Sequence, residues 1–334
     1  MGRGLDIGTS FIISAVGDKE VTYREVRDAF IKLKPTSPVA SSMMEKGLKG
    51  QVYFKDSDGS FIVIGQDAIE RSVERHMSAS RPMNRGIISP KEKDARRILK
   101  FILAEVLGKP KTENEKLIFS VPAQPVDQPG EEFDTGFHED ALRNDLRELG
   151  YDARAINEAE AICYSELDTD DYTGICLSFG AGMVNACVMS AGEAVIKFST
   201  TKSGDWIDRM VAASTAQPDS VVQVEKENGK FRIGEEVADN SILSAVSSYY
   251  MRLIDYTIKH LVHQLKYGPA MPKFAGPIPI ILSGGTSRPI NFREEFEQQI
   301  FLVKDQLPFR IKEVRLAKDQ LRSVARGCLI AAEI

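Results

Sequence analysis

The spacing of apolar residues changes period along the chain, and those changes divide it into elements. Over the first 35 residues, short β-rich runs alternate with turn residues. Residues 4–8 read as a buried strand and Phe11–Val16 as a second, and the turn Gly17-Asp18-Lys19 leads into a third over 20–26. Residues 51–54 and Phe61–Ile64 flank Asp56-Ser57-Asp58-Gly59, a hairpin signal. The period then lengthens. Ser89-Pro90-Lys91-Glu92 has the form of a capping box with Pro at the first helical position, and Ile98, Phe101, Ile102 and Val106 follow at helical spacing up to Gly108. Strands at 116–121 and 152–156 bracket a helix that runs from Thr135 to Gly150, and Glu158–Glu166 reads as another helix.

A second set of strands follows at 173–179, Val184–Ser190 and 193–199, the last two joined by Ala191-Gly192. Beyond it the pattern predicts a helix over 204–213, a small hairpin of 221–224 and 231–233 about Asn228-Gly229, and a long helix over 235–266. A strand at 279–282, a helix at 293–300 and a helix from 319 to the end complete the chain. The order strand, Gly-containing turn, strand, turn, strand thus occurs near residue 5 and again near residue 175. This duplication predicts an α/β protein of two similar lobes with a cleft between them.

Length and composition narrow the class. The 334 residues suffice for about two domains, and 43% hydrophobic with 27% charged residues is ordinary globular composition. No run approaches the ~18 apolar residues of a membrane span. The N-terminus has no apolar signal-peptide core, and Asp6 stands where a myristoylation signal wants Ser or Thr. A formal net charge of −5 argues against a generic nucleic-acid binder. Cys163, Cys176, Cys187 and Cys328 form no CxxC pair and there are only four histidines, so reduced core thiols in a cytoplasmic protein are expected rather than a zinc site or disulfide scaffold.

Three Gly-rich turns fall at predicted strand ends, where open α/β sheets bind ligands. They are Asp6-Ile7-Gly8-Thr9-Ser10, Phe179-Gly180-Ala181-Gly182 and Ser283-Gly284-Gly285-Thr286-Ser287. Small residues let backbone N–H groups approach an anion, and the hydroxyls of Thr9, Ser10, Thr286 and Ser287 can donate to its oxygens. Asp6 can hold Mg²⁺ or its waters opposite. One Gly-Gly after a strand is ordinarily a plain tight turn; three in a half-repeated chain point to a shared anion site. Other features have plain readings. Cys176 and Cys187 fall on adjacent core strands, and Trp206 and Tyr249-Tyr250 are packing residues. His260 and His263 lie three apart on the long helix with no evident third ligand. Asp168-Thr169-Asp170-Asp171 reads as a solvated acidic loop.

In order and content these motifs resemble the actin/heat-shock-chaperone/sugar-kinase superfamily of two-lobed ATPases, over the whole chain and best with its bacterial and archaeal actins (MreB/MamK-like). Gly4-Leu5-Asp6-Ile7-Gly8-Thr9-Ser10 looks like the first phosphate loop, residues 177–188 like the second, and Ile280-Ile281-Leu282-Ser283-Gly284-Gly285-Thr286-Ser287 like the adenosine motif. Ile156-Asn157-Glu158-Ala159-Glu160-Ala161 and residues 323–332 resemble the two interlobe helices. Ser203-Gly204-Asp205-Trp206-Ile207-Asp208 resembles the Gly-Gly-Asp-x-x-Asp after the second meander, and Arg81-Pro82-Met83-Asn84-Arg85-Gly86-Ile87-Ile88 the Arg-Pro-Met-x-x-Gly-Val-Ile stretch of the bacterial actins.

The resemblance implies duplicated ribonuclease-H-like domains around a central nucleotide cleft. Lobe I would comprise 1–157 plus 315–334, with a small subdomain at about 35–88, and lobe II 158–314, with a reduced small subdomain at about 206–245. It implies ATP or ADP and Mg²⁺ in the cleft, with hydrolysis coupled to lobe closure and filament assembly. By position, Asp6 would order Mg²⁺-bound water, Gly8, Thr9 and Ser10 would contact the β/γ-phosphates, and Glu158 would orient or activate the attacking water. A solvated helix start, where an acid is welcome anyway, is the plain reading of Glu158. Gly180, Ala181 and Gly182, with Gly204 and Asp205, would also bind the nucleotide, and Gly284, Gly285 and Thr286 would line it.

Two departures stand out. Ser178 occupies the place of an Asp that helps hold the Mg²⁺ water shell, and Met183-Val184 replace the usual Thr-Thr, so metal affinity and hydrolysis should both suffer. After Trp206, a small hairpin is expected where the family places a helix with Glu and Lys residues that cradle adenine and ribose, which would trim the top of lobe II. Three functions compete. An actin-like cytoskeletal subunit that polymerises head to tail, with weak ATPase activity, is the expectation. A non-polymerising nucleotide-dependent adaptor is the alternative that the altered second loop favours, and a small-metabolite kinase lacks any base beyond Glu158. Met43, Met44 and Leu48 suit a filament contact and core packing equally. MreB-like proteins usually carry an N-terminal amphipathic anchor; here the first strand begins within four residues, so direct membrane binding by that route is not expected. Adaptor partners are not specified.

Overall fold

The computed structural model describes residues 2–17, 20–75, 77, 79–128, 133–269 and 272–334. Asp18 and Lys19, the centre of the expected first hairpin turn, lie outside the described residues. The chain opens with an antiparallel meander of β1 (Arg3–Ile7), β2 (Phe11–Val16) and β3 (Thr22–Arg27). A separate small sheet follows, made of β4 (Phe30–Leu33), β5 (Tyr53–Lys55) and β6 (Phe61–Ile64), with α1 (Pro38–Gly47) and α2 (Gln66–Glu74). The short hairpin of β7 (Met83–Asn84) and β8 (Ile87–Ile88) leads to α3 (Ala95–Leu107), β9 (Glu115–Val121), α4 (Thr135–Glu148), β10 (Tyr151–Asn157) and α5 (Glu158–Glu166).

The second half repeats the plan. Its meander is β11 (Gly174–Phe179), β12 (Val184–Ser190) and β13 (Glu193–Thr200). Then come α6 (Gly204–Thr215), α7 (Asp219–Asn228), α8 (Ser241–Tyr267), β14 (Ile278–Ser283), α9 (Phe292–Leu302), β15 (Ile311–Leu316) and α10 (Ser323–Glu333). The two five-stranded sheets run β10-β9-β1-β2-β3 and β15-β14-β11-β12-β13. In each, the first strand of the meander is central, with antiparallel partners on one side and parallel strands on the other. The duplication expected from the pattern is therefore a duplication of topology, each copy with its own apolar core.

The halves are tied by exchanged helices. α5 leaves the first sheet but packs on β11 and β12, whereas α10 leaves the second sheet but packs on β1, β2 and β9. The two helices cross each other at a point where a Cβ on Gly327 would lie 1.7 Å from the carbonyl oxygen of Ala161, so only glycine fits there. Between them lies a third core that holds all four cysteines: Cys163, Cys176, Cys187 and Cys328 are buried and unbridged.

Several expectations need correction. α3 begins at Ala95, not at the Ser-Pro pair six residues earlier, because the Ser89 N–H is committed to the Pro82 carbonyl (2.8 Å) in the short hairpin. Residues 221–224 are not a strand but part of α7, which starts after Pro218 and buries Val222; the C-terminal N–H of Gly229 returns to Glu225. The β-branched run Val221-Val222-Gln223-Val224 has strand propensity, yet helix packing decides its state. β4, α1, α2 and β15 were not anticipated. α1 carries an ordinary start signal, Ser37 accepting the Ala40 N–H (3.1 Å) with Pro38 next. Around it Leu48 is buried and Met44 packs on the small sheet, while Met43 is 70% exposed.

Candidate functional site

The three Gly-rich turns meet at one cleft of about 550 Å³ between the two sheets. The first two have the same backbone: the Gly8 N–H bonds to the Phe11 carbonyl and the Gly180 N–H to the Met183 carbonyl, each at 3.0 Å. The third follows β14. Gly284 has φ +90° and comes so close to Phe179 that a Cβ would sit 2.2 Å from its carbonyl oxygen, so the third turn rests directly on the second. Asp6, Gly8, Thr9, Ser10, Glu158, Gly180, Ala181, Gly182, Asp205, Gly284, Gly285 and Thr286 all line the cleft. Gly204 lies one layer behind, its N–H on the Gly180 carbonyl (3.2 Å) and its carbonyl accepting Lys226 Nζ (3.1 Å).

Not every hydroxyl named from the sequence is offered to a ligand. Thr286 Oγ1 donates to the Gly180 carbonyl (2.7 Å) and Ser287 Oγ to the Gly284 carbonyl (2.8 Å), so these two hold the turns in shape. The carbonyls of Gly180, Ala181 and Met183 are all engaged from behind, by Gly204, Thr286, Asp205 and Ser203, which turns the N–H side of the second turn toward the cleft. Thr9 Oγ1 accepts the Gly86 N–H (2.9 Å), and a Cβ on Gly182 would lie 2.4 Å from it, so the first two turns touch at the floor. Asp205 does not face the turns: Arg81 holds both of its oxygens, at 3.0 and 3.1 Å, from the other half of the molecule.

Two buried carboxylates dominate the floor. Asp6 Oδ1 accepts from Ser120 Oγ (2.9 Å), which itself accepts the Ile7 N–H (2.9 Å). Glu158 is the first residue of α5, behind the Asn157 cap, and its Oε2 accepts from Asn185 Nδ2 (3.0 Å) and Ser178 Oγ (3.4 Å). Burial pushes Asp6 up to about 7, against the lowering effect of Ser120. Burial first, and then the charge of Asp6, push Glu158 up to about 8, against the two hydrogen bonds. The solvated helix start considered for Glu158 is therefore excluded, since the side chain is buried in the cleft floor.

Sequence reasoning missed Asn185, Ser120, Arg27 and α7. Asn185 is fully buried and bridges the halves, its Oδ1 accepting the Ala123 N–H (2.8 Å) while its Nδ2 holds Glu158. An Asn inside the apolar run Val184-Asn185-Ala186-Cys187-Val188 was the available signal, because a polar side chain in a buried strand needs partners. α7 corrects the expectation of a small hairpin there: a helix with Gln223, Lys226 and Glu227 faces the cleft, and Lys226 pairs with Asp208 at 2.7 Å. Among the described residues, no group of three or more His, Cys, Asp or Glu is arranged to enclose a metal ion.

A family model described as Volactin matches residues 1–332. No curated protein matches the chain. Among solved structures, the MamK double helical filament is 17% identical, covering 99% of this chain and 98% of that one, with a TM-score of 0.72. MreB5 of Spiroplasma citri bound to ADP is 16% identical over 98% and 94%, with a TM-score of 0.63. The ethanolamine utilization protein EutJ from Carboxydothermus hydrogenoformans is 15% identical over 98% and 89%, with a TM-score of 0.57. At these identities the likeness shows a shared fold, the two-lobed actin-like one that the motifs implied. Matched by the family model over almost its whole length, the chain belongs to the Volactin family.

Proposed function

We propose that this chain is an actin-like cytoskeletal subunit that binds ATP or ADP with Mg²⁺ in the cleft, hydrolyses ATP slowly and assembles into filaments in the cytoplasm. The observation that carries this reading is the convergence of two turns closed by the same hydrogen bond, a third turn and two buried carboxylates on one cleft between duplicated sheets. The fold is shared with a MamK double helical filament, with a MamK mutant bound to AMPPNP and with MreB5 bound to ADP, which supports both parts of the reading. Lobe I would run over about 1–157 plus the C-terminal segment from about 315, and lobe II over the rest.

The residues at the floor fit Mg²⁺. Two carboxylates that burial makes costly to ionise would gain from a cation, and two carboxylates facing a phosphate site suit a metal that keeps most of its waters and takes phosphate oxygens. Asp6 would hold it through water, and the bound ion would neutralise phosphate charge. With the Gly8 and Gly180 N–H groups closing their turns, the N–H groups of Thr9, Ser10, Ala181 and Gly182 would donate to phosphate oxygens, with Gly284 and Gly285 against the nucleoside. Glu158 keeps Oε2 for Asn185 and Ser178, leaving Oε1 to orient a water toward the terminal phosphate. Turnover would be slow because Ser178 supplies no second carboxylate, its hydroxyl being turned to Glu158, and Met183 supplies no hydroxyl for the metal's water shell.

The same neutral second turn favours one other reading, a non-polymerising nucleotide-dependent adaptor. Titration calorimetry with ATP and ADP, with and without Mg²⁺, a phosphate-release assay and negative-stain microscopy separate these. Absence of nucleotide binding would sink the cleft assignment, turnover at ordinary actin rates would sink slow hydrolysis, and nucleotide binding without filaments would select the adaptor.

A further inference from the structure

The mouth of the cleft is spanned by charge. Arg27, the last residue of β3, reaches Glu227 on α7 in the other half of the molecule, with Nη1 3.2 Å from Oε1 and Nη2 2.7 Å from Oε2. The same guanidinium lies 4.2 Å over the ring of Phe11, and its Nη1 is 3.3 Å from Ser10 Oγ. The neighbouring Asp28 N–H bonds to the Ser10 carbonyl at 3.0 Å, so this end of β3 is fastened to the first turn. Arg27 is thereby held beside the turn that faces the cleft, while its charge is spent on a carboxylate that is itself 37% exposed. Lys226, the cation next to Glu227 on α7, is already committed to Asp208 and to the Gly204 carbonyl.

We infer that Arg27 is a phosphate-binding residue that gives up Glu227 for the terminal phosphate of a nucleoside polyphosphate, while α7 stays seated through buried Val222, the Lys226–Asp208 pair and the bond from Arg81 to Gln223 (3.1 Å). The inference rests on the nucleotide reading above. A guanidinium takes a phosphate in the same two-pronged manner as a carboxylate, and a phosphate chain carries more charge than one glutamate. Glu227, partly exposed, keeps Gln223 (2.9 Å) and gains water on release, whereas a polyphosphate at Ser10 arrives among Asp6 and Glu158 and needs a cation on that side. Two anions competing for one cation each weaken the other's hold. Glu227 therefore acts as a built-in competitor, and Arg27 sets a preference for longer phosphate chains.

Calorimetry on the full chain at fixed Mg²⁺ and ionic strength, with ATP, ADP and AMP as ligands, tests this with opposite predictions for the two partners. Arg27→Ala should weaken ATP about tenfold, as expected for loss of one charge-assisted hydrogen-bonded contact, and leave AMP unchanged. Glu227→Gln should tighten ATP by roughly threefold, since the competitor is gone. Arg27→Lys, which keeps the charge, controls for folding and should fall between. ATP affinity within about twofold of the parent in Arg27→Ala would overturn the inference, and so would Glu227→Gln weakening ATP as Arg27→Ala does, because the pair would then be only a lid. If the parent protein binds none of the three nucleotides, the nucleotide reading fails and this inference with it; if it binds them but Arg27 is indifferent, the inference alone fails.

Discussion

The first and second turns of the cleft occupy the same place in two copies of one sheet, and they have opposite chemistry. Asp6 pairs with Ile13 across the first meander, and Ser178 pairs with Asn185 across the second, in the same register. Both turns close with a 3.0 Å bond from the glycine N–H. Yet Asp6 accepts a hydrogen bond from Ser120, whereas Ser178 donates one to Glu158. The first turn brings a carboxylate and two hydroxyls in Thr9 and Ser10; the second brings Ala181, Gly182 and Met183. Met183 lines the cleft only as an apolar wall, packed with Ile87 and Phe133 of the other half. The closing bond of the turn, which suits an anion site, has been kept in both copies, while the buried carboxylates lie in the first turn and at the start of α5. The two functions of such a turn are physically separable, and here they have been separated.

The comparison extends two residues upstream and gives the largest expected effect. Gly4 stands two before Asp6 as Cys176 stands two before Ser178. A Cβ on Gly4 would lie 2.1 Å from the Ala325 carbonyl oxygen of α10, whereas Cys176 packs its thiol against α5 in the third core. Gly4→Ala should therefore cost at least about 3 kcal/mol of stability, and Cys176→Ala only about 1 kcal/mol, since the first forces backbone apart and the second removes one small atom. Paired denaturant titrations measure both. Equal losses would mean that the exchanged helices are not seated in the two halves as described.

Next in size is the residue that both turns share. Glu158→Gln keeps the shape and the bonds to Asn185 and Ser178 within reach but removes the carboxylate. Single-turnover phosphate release should fall by about 100-fold, while ATP affinity stays within a few fold. Unchanged release would remove Glu158 from the chemistry and leave it a structural acid.

Sequence carried most of the fold because the duplication is written twice in strand lengths and in glycines that the backbone cannot replace. Phe11–Val16, Val184–Ser190 and Glu158–Glu166 are found to the residue. The lining of the cleft was also legible, because close backbone approach demands small residues at fixed places. What was not legible is what depends on partners remote in the chain. Nothing local to Arg27 announces Glu227, 200 residues away. Nothing local to Asp205 announces that Arg81 has already taken it, and α7 reads as a strand because three of its four residues from 221 to 224 are β-branched valines, of which only Val222 is buried. Tertiary packing decides such segments, and intrinsic pattern does not.

Ser178→Asp gives the second turn the chemistry of the first and should have a smaller, two-sided effect. In the nucleotide-free protein it sets a third carboxylate beside Glu158, whose Oε2 is 3.4 Å from the hydroxyl it replaces, so the melting temperature should fall by a few degrees. With ATP and Mg²⁺ present, turnover should rise roughly tenfold if the missing carboxylate is what slows it. A fall in stability without a gain in turnover would show that the neutral second turn is not the cause.

The smallest effect is on pH, and it separates the turns most directly because only the first can titrate. Asp6 and Glu158 are held near 7 and 8 in the folded protein, against ordinary values of 3.8 and 4.5. The folded state therefore binds more protons than the unfolded chain across that window. The stability that these two protonated groups contribute is fully present below about pH 4, declines as pH rises, and is gone once pH passes through 7 and 8. Asp28, pushed up to about 8 by burial, adds to the same slope, so the informative quantity is the difference between each variant and the parent. Asp6→Asn and Glu158→Gln should each flatten the fall in melting temperature between pH 5 and pH 9 by about 3 °C. Ser178→Ala should leave the slope in place, or steepen it slightly, since it removes a donor that favours ionised Glu158. If Ser178→Ala flattened the slope as much as Asp6→Asn, the proton would be shared across both turns and their chemistry would not be divided between the two halves.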